Sequence, residues 1–103
     1  MTANGPDGAT VITLAKDLVV STAPELRQAM KSAIDGGASS LVIDLAKVRI
    51  IDSTGLGLLV AAHNTLSKQG GALSVVNTSP DLLGLFKSMR LDQHFNVAGA
   101  GGA

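Results

Sequence analysis

The residues best placed to do chemistry are Asp52, Ser53 and Thr54, which stand between an apolar segment and a helical pattern. Gly55 and Gly57 follow, and glycines leave the backbone around these side chains open to another protein. A serine at a helix start tolerates a phosphate, because the unpaired N–H groups and the helix dipole favour an anion there. We therefore interpret Ser53 as a candidate phosphorylation site.

The same segment also has a purely structural interpretation. Asp52 or Ser53 can act as the helix N-cap, which contributes about 1 kcal/mol. Two features remain unexplained, since two glycines in a first turn cost up to about 1 kcal/mol each and Leu58 falls on the predicted outward face. A docking surface, with Leu58 and Ala61 beside Ser53, accounts for both.

Catalytic patterns are missing from the sequence. Gly55-Leu56-Gly57 lacks the third glycine of a dinucleotide fingerprint, because Val60 stands in its place. His63 and His94 have no serine, cysteine or paired carboxylate at a spacing that predicts a contact. We expect a protein that is not an enzyme and that holds no cofactor or metal.

Composition argues against nucleic-acid binding and membrane insertion. Eight basic residues balance eight acidic ones, and the chain has two Phe but no Tyr, Trp or Cys. Phosphate backbones attract basic patches and bases stack on aromatic rings, so we expect no nucleic-acid partner. No apolar run approaches the ~20 residues of a membrane span, so we expect no membrane insertion and a cytoplasmic location.

The elements that position Ser53 alternate between strands and helices. Strands are predicted at 11–14, 18–20, 41–45, 73–77 and 95–97, the first two as a hairpin. Helices are predicted from Thr22, from the Asp52–Gly57 motif and from Ser79. We expect an α/β domain over 9–97, with a mixed four- to five-stranded sheet covered by three to four helices. Segments 1–8 and 98–103 are expected to be flexible.

Helical periodicity predicts which faces are buried. The first helix carries a stripe of Leu26, Ala29, Met30, Ala33 and Ile34. The second helix is expected to face the sheet with Leu56, Leu59, Val60, His63 and Leu66. Its outward face then consists of Thr54, Leu58, Ala61 and Thr65. The third helix carries Leu82, Leu85, Phe86 and Met89.

Three segments, 41–45, 51–57 and the 70–71 turn, resemble the bacterial STAS domain, in particular the single-domain anti-sigma factor antagonists. The resemblance covers about residues 10 to 97. It implies that the unphosphorylated protein binds an anti-sigma factor that is also a serine kinase, and so frees a sigma factor. It also implies that the kinase modifies Ser53 and that a PPM-type phosphatase reverses this step. ATP and metal then belong to those partners.

One departure from the family lies in the second predicted strand. The family usually carries Gly-Glu-Leu-Asp there, whereas this chain has Lys16-Asp17-Leu18-Val19, so Val19 replaces an aspartate. Asp17 keeps an acid nearby. The residues that we predict to contact the partner are Asp17, Val19, Ser21, Thr22, Asp52, Thr54, Gly55, Leu56, Gly57, Leu58 and Ala61.

Two alternatives stay open at this point. The domain could be a constitutive scaffold or accessory subunit, as in stressosomes or lipid-transport ABC complexes, and the change at Val19 favours that interpretation. A nucleotide- or small-molecule-binding domain, or an enzyme, is the other. We expect the isolated chain to be a monomer or a weak dimer.

Overall fold

The fold alternates strands with helices along the chain. The computed structural model describes residues 2–4 and 9–99. In chain order they form β1 (Thr2–Asn4), β2 (Ala9–Thr13), α1 (Ala23–Asp35), β3 (Ser40–Asp44), α2 (Ser53–Lys68), β4 (Leu73–Thr78), α3 (Pro80–Ser88), a 3₁₀ turn (Leu91–Gln93) and β5 (Asn96–Gly99). Within these ranges, no helix has the length and apolar character needed to cross a bilayer.

The five strands form one mixed sheet in the order β1-β2-β3-β4-β5. β1 is antiparallel to β2, whereas each later neighbouring pair is parallel. Right-handed crossovers between consecutive parallel strands place α1, α2 and α3 on the same face. Ile12, Ile43 and Val75 stand in register across β2, β3 and β4, and all three are completely buried. The predicted α/β class with a helix-covered mixed sheet is confirmed.

The first helix packs with the stripe that its periodicity predicts. Leu26 and Met30 are buried, and Ala29, Ala33 and Ile34 pack against the core while partly exposed. Pro24 and Glu25 occupy the first turn, as a helix N-terminus favours.

The buried face of α2 is rotated from the predicted one. Its buried residues are Gly55, Leu59, Ala62 and Leu66, whereas three residues expected on the sheet face are only half-buried: Leu56, Val60 and His63. Leu58, expected to point outward, packs partly against the core. The reason is that one flank of α2 packs against α1 and the other, at His63, lies beside His94 and Phe95.

The third helix begins at its predicted cap. The Ser79 hydroxyl accepts a hydrogen bond from the Leu82 N–H at 3.3 Å. Leu82 and Phe86 are buried and Leu85 is half-buried. Met89, expected in the packed stripe, follows the last helical residue and is 49% exposed.

The predicted opening hairpin is wrong. β2 pairs with β1, with Thr2 opposite Ile12, and 18–20 contributes only a parallel bridge between Leu18 and Ile51. Leu18 instead donates its N–H to the Ile50 carbonyl at 3.0 Å, which draws the segment towards the loop before α2.

Parts of the segments 1–8 and 98–103, which the sequence predicts to be flexible, pair with the sheet. Residues 2–4 form β1, and Ala98 and Gly99 belong to β5. Short polar or Gly/Ala-rich segments lack an apolar pattern, so their pairing depends on the neighbouring strand. The remainder of both segments lies outside the described residues, and the domain limits at 9 and 97 stay predictions.

Candidate functional site

The Asp52–Gly57 motif lies at the edge of the sheet where the parallel strands end. β2 is followed there by the 14–22 loop, and β3 is followed by the 45–52 loop and then α2. The carboxyl ends of parallel strands are the usual position of binding sites in open α/β sheets.

Asp52 fixes the start of α2. Its Oδ1 accepts a hydrogen bond from the Gly55 N–H at 2.9 Å, which confirms an N-cap. Its Oδ2 accepts from the Val20 N–H at 3.0 Å, and its own N–H donates to the Leu18 carbonyl at 3.2 Å. One side chain therefore caps the helix and ties the 14–22 loop to it.

The two motif glycines have different surroundings. A Cβ on Gly55 would lie 2.6 Å from the Leu18 carbonyl oxygen and 2.8 Å from Leu18 Cγ. Gly55 is buried, so it contributes close packing and no exposed surface. A Cβ on Gly57 would meet nothing within 4 Å. Sterics therefore require the first glycine and leave the second unexplained.

The two hydroxyl groups of the motif face outward. Ser53 and Thr54 are exposed in the first turn of α2, and neither hydroxyl forms a hydrogen bond within the described part of the chain. Gly57 and Ala61 are exposed on the following turns, and Leu56 and Leu58 beside them are half-buried.

The predicted contact residues of the 14–22 loop are mostly engaged by the domain itself. Asp17 Oδ1 accepts from the N–H groups of Arg49 at 2.9 Å and Ile50 at 3.3 Å. Thr22 stands at the N-cap of α1 but does not cap it: its hydroxyl donates to the Asp17 carbonyl at 2.5 Å and accepts from the Val19 N–H at 3.0 Å. Val19 is half-buried, and Ser21 is exposed.

Two exposed apolar side chains on loops near Ser53 are not predicted by the sequence pattern. Val20 is 66% exposed and Ile50 is 58% exposed. Val20 is bonded to Asp52 through its backbone, and Ile50 lies two residues before that cap. The predicted strand at 18–20 contains Val20, and a strand pattern does not indicate an exposed loop residue.

A groove of about 540 Å³ between α1 and α2 opens next to the hydroxyl groups. Ser53 and Thr54 line it together with Leu58 and Ala61 of α2. The α1 side contributes apolar and charged residues, among them Arg27, Met30, Lys31 and Ile34. The sequence predicted the α2 side of this groove but not the cations opposite it.

The two histidines meet at the other flank of α2. The His63 and His94 ring centroids are 6.1 Å apart, and the His63 ring lies 6.0 Å from that of Phe95. Over the described residues, no group of three or more His, Cys, Asp or Glu side chains is positioned to hold a metal ion.

Comparisons with known proteins identify the family of this chain. A family model described as STAS domain matches residues 1–100. The anti-sigma-B factor antagonist of Bacillus subtilis (strain 168) is 39% identical over 75 residues, covering 73% of this chain and 68% of that protein.

Two solved structures extend the comparison. An anti-sigma factor antagonist from Mycobacterium paratuberculosis has a TM-score of 0.79 at 30% identity, over 95% of this chain and 84% of that one. The Bacillus cell fate determinant SpoIIAA in its phosphorylated form has a TM-score of 0.73 at 22% identity, over 95% and 89%. This chain belongs to the STAS domain family.

Proposed function

We propose that this chain is an anti-sigma factor antagonist controlled by phosphorylation of Ser53. In the unphosphorylated state it binds an anti-sigma factor that is also a serine kinase, and the sigma factor is released. The kinase phosphorylates Ser53 with its own ATP and metal, and a PPM-type phosphatase removes the phosphate. The chain itself acts as a binding protein and not as an enzyme.

The exposed Ser53 side chain at the start of a capped helix is the observation that carries this proposal. Asp52 uses both carboxylate oxygens to hold the backbone at that start, and the Ser53 hydroxyl stays open to solvent. A kinase needs such access to the oxygen. The helix N-terminus tolerates the added charge, so the fold survives phosphorylation.

Release of the partner follows from the surface around the hydroxyl. Val20 and Ile50 present apolar side chains on the neighbouring loops, and a bound protein would cover them together with Ser53. A phosphate adds about two negative charges at this position. An unpaired dianion without water is unfavourable by several kcal/mol, which weakens binding by roughly a hundredfold or more.

The relatives support the same role. The Bacillus subtilis relative is named an anti-sigma-B factor antagonist, and SpoIIAA is a protein of this fold that exists in a phosphorylated form. Transfer of that role to this chain is part of the proposal.

A labelling experiment tests the proposal. An anti-sigma-type serine kinase from the same genome is incubated with the wild-type chain, Ser53→Ala and Thr54→Ala, and the modified residue is located by mass spectrometry. We expect phosphate on Ser53 in the wild type and in Thr54→Ala, and none in Ser53→Ala. Thr54→Ala is the matched control, since it removes the neighbouring exposed hydroxyl. Labelling of Ser53→Ala at the wild-type rate would contradict the proposal.

A constitutive scaffold or accessory subunit is the second candidate. Val19 favours it, because the aspartate that the family usually carries is replaced by a half-buried apolar side chain. Recovery of the chain from cells in a large assembly, without phosphate on Ser53, would support the scaffold over the switch.

A further inference from the structure

The groove between α1 and α2 has a direction. Both helices follow parallel strands, so they run the same way and their N-terminal ends lie together. The groove begins at Ser53 and reaches Thr65, which corresponds to about 18 Å along α2 at 1.5 Å per residue. That length fits about three turns of a docked helix.

The groove is lined by apolar side chains and, on its α1 side, by charged ones as well. Ile34 and Leu58 are half-buried, Met30 is buried, and Ala61 is small enough to leave space. On α1, Arg27 lies nearest the Ser53 end, Lys31 follows one turn later, and Asp35 lies one further turn towards the Thr65 end. The N-termini of both helices add partial positive charge to the Ser53 end.

We propose that this groove receives an amphipathic helix of the kinase partner, antiparallel to α1 and α2, with an acidic residue in its last turn beside Arg27. This inference rests on the proposed function. An apolar groove between two helices suits the apolar face of a third. The antiparallel direction brings the negative C-terminal end of the docked helix to the cationic end of the groove.

The same geometry gives the phosphate a second effect. Phosphorylated Ser53 lines the same groove as Arg27. In the complex its negative charge repels the acidic residue that the docked helix places beside Arg27, and so weakens that ion pair. One modification would thus act on the loop surface of Val20 and Ile50 and on the groove together.

Groove-filling and charge-reversal variants test this inference in binding titrations with the kinase, without ATP. Ala61→Trp fills the groove from an exposed position, and Asn64→Trp on the same helix is its control, because Asn64 is exposed and does not line the groove. Arg27→Glu reverses a groove cation, and Lys87→Glu on α3 is its control. Thermal unfolding of each variant verifies the fold.

We expect Ala61→Trp and Arg27→Glu to weaken binding by about tenfold or more, as loss of a well-packed or charge-paired contact does. Both controls should stay within about twofold of the wild type. Arg27→Glu should also reduce the dependence of affinity on salt.

Wild-type affinity in both groove variants would overturn the inference and leave the Ser53 proposal standing. Failure of the wild-type chain to bind the kinase would overturn both. If Ala61→Trp abolishes self-association while kinase affinity stays unchanged, a second copy occupies the groove and the inference is wrong.

Discussion

The two ends of α2 both carry glycines, yet they serve different purposes. At the C-terminal end, the N–H groups of Gln69 and Gly71 donate to the Leu66 carbonyl and that of Gly70 donates to the Ser67 carbonyl. At the N-terminal end, Asp52 makes the cap while the neighbouring hydroxyls stay exposed and free of intramolecular hydrogen bonds among the described residues. The C-terminal end satisfies its own backbone, whereas the N-terminal end leaves two hydroxyl side chains exposed.

The surroundings of each glycine show whether packing requires it. Gly55 and Gly71 lie against backbone atoms of neighbouring segments, so each is explained by packing. Gly57 has open space around it and no positive φ, so neither sterics nor backbone conformation explains it. Of the two motif glycines, Gly57 alone lacks a structural reason, and we interpret it as part of the proposed binding surface.

The glycine pair after the C-terminal end of α2 gives the largest predicted effect on stability. A Cβ on Gly71 would lie 1.5 Å from the Ser39 carbonyl oxygen, which is a backbone atom that cannot move aside alone. We expect Gly71→Ala to lower the free energy of unfolding by about 3 kcal/mol or more. Urea unfolding measures this change. A loss below about 1 kcal/mol would show that the 39–40 segment moves easily. The C-terminal end of α2 would then not be more tightly packed than the N-terminal end.

The N-terminal end of α2, which Asp52 caps, is expected to give the next largest loss of stability. Asp52→Ala removes the N-cap bond to Gly55 and the bond to the Val20 N–H. We expect about 2 kcal/mol of lost stability, because both are hydrogen bonds to a charged group. Hydrogen exchange should accelerate at Gly55 and Val20. Unchanged exchange at Val20 would mean that the loop is held by other contacts.

Gly57→Ala gives the smallest effect on stability and the opposite sign. Alanine is favoured over glycine by about 1 kcal/mol in a helix, and no atom opposes the added methyl group. We expect stability to rise by about 0.5 to 1 kcal/mol while kinase affinity falls.

Gly84→Ala is the matched control for that variant. Gly84 lies in α3, and its Cβ would also meet nothing within 4 Å. It should gain similar stability with no change in kinase affinity. If both variants bind the kinase equally well, Gly57 has no role at the interface.

Local patterns in the sequence predict much of the fold. The first helix is marked by Pro24 and a continuous apolar stripe, and the second ends at the Gly70-Gly71 pair as expected. β1 could not be predicted, since three residues without an apolar pattern become a strand only by pairing with β2. The strand predicted at 18–20 is wrong for a similar reason, because the Leu18 N–H donates its hydrogen bond to a residue 32 positions away.

The candidate site likewise has a part that local spacing predicts and a part that depends on the tertiary fold. Asp52, Ser53 and Ala61 follow one another on one helix, so their spacing predicts their proximity. Val20, Ile50 and Arg27 come from other segments and reach the site through the tertiary fold. The exposure of a β-branched residue is set by what covers it, and sequence periodicity does not contain that information.

The most direct test of the central claim compares the phosphorylated and unphosphorylated chain as ligands of the same kinase. The chain is phosphorylated stoichiometrically at Ser53, purified and titrated into the kinase by calorimetry beside the unmodified protein. We predict an affinity at least about a hundredfold lower for the phosphorylated form, with its unfolding free energy within about 1 kcal/mol of the unmodified form. Equal affinities of the two forms would contradict the account.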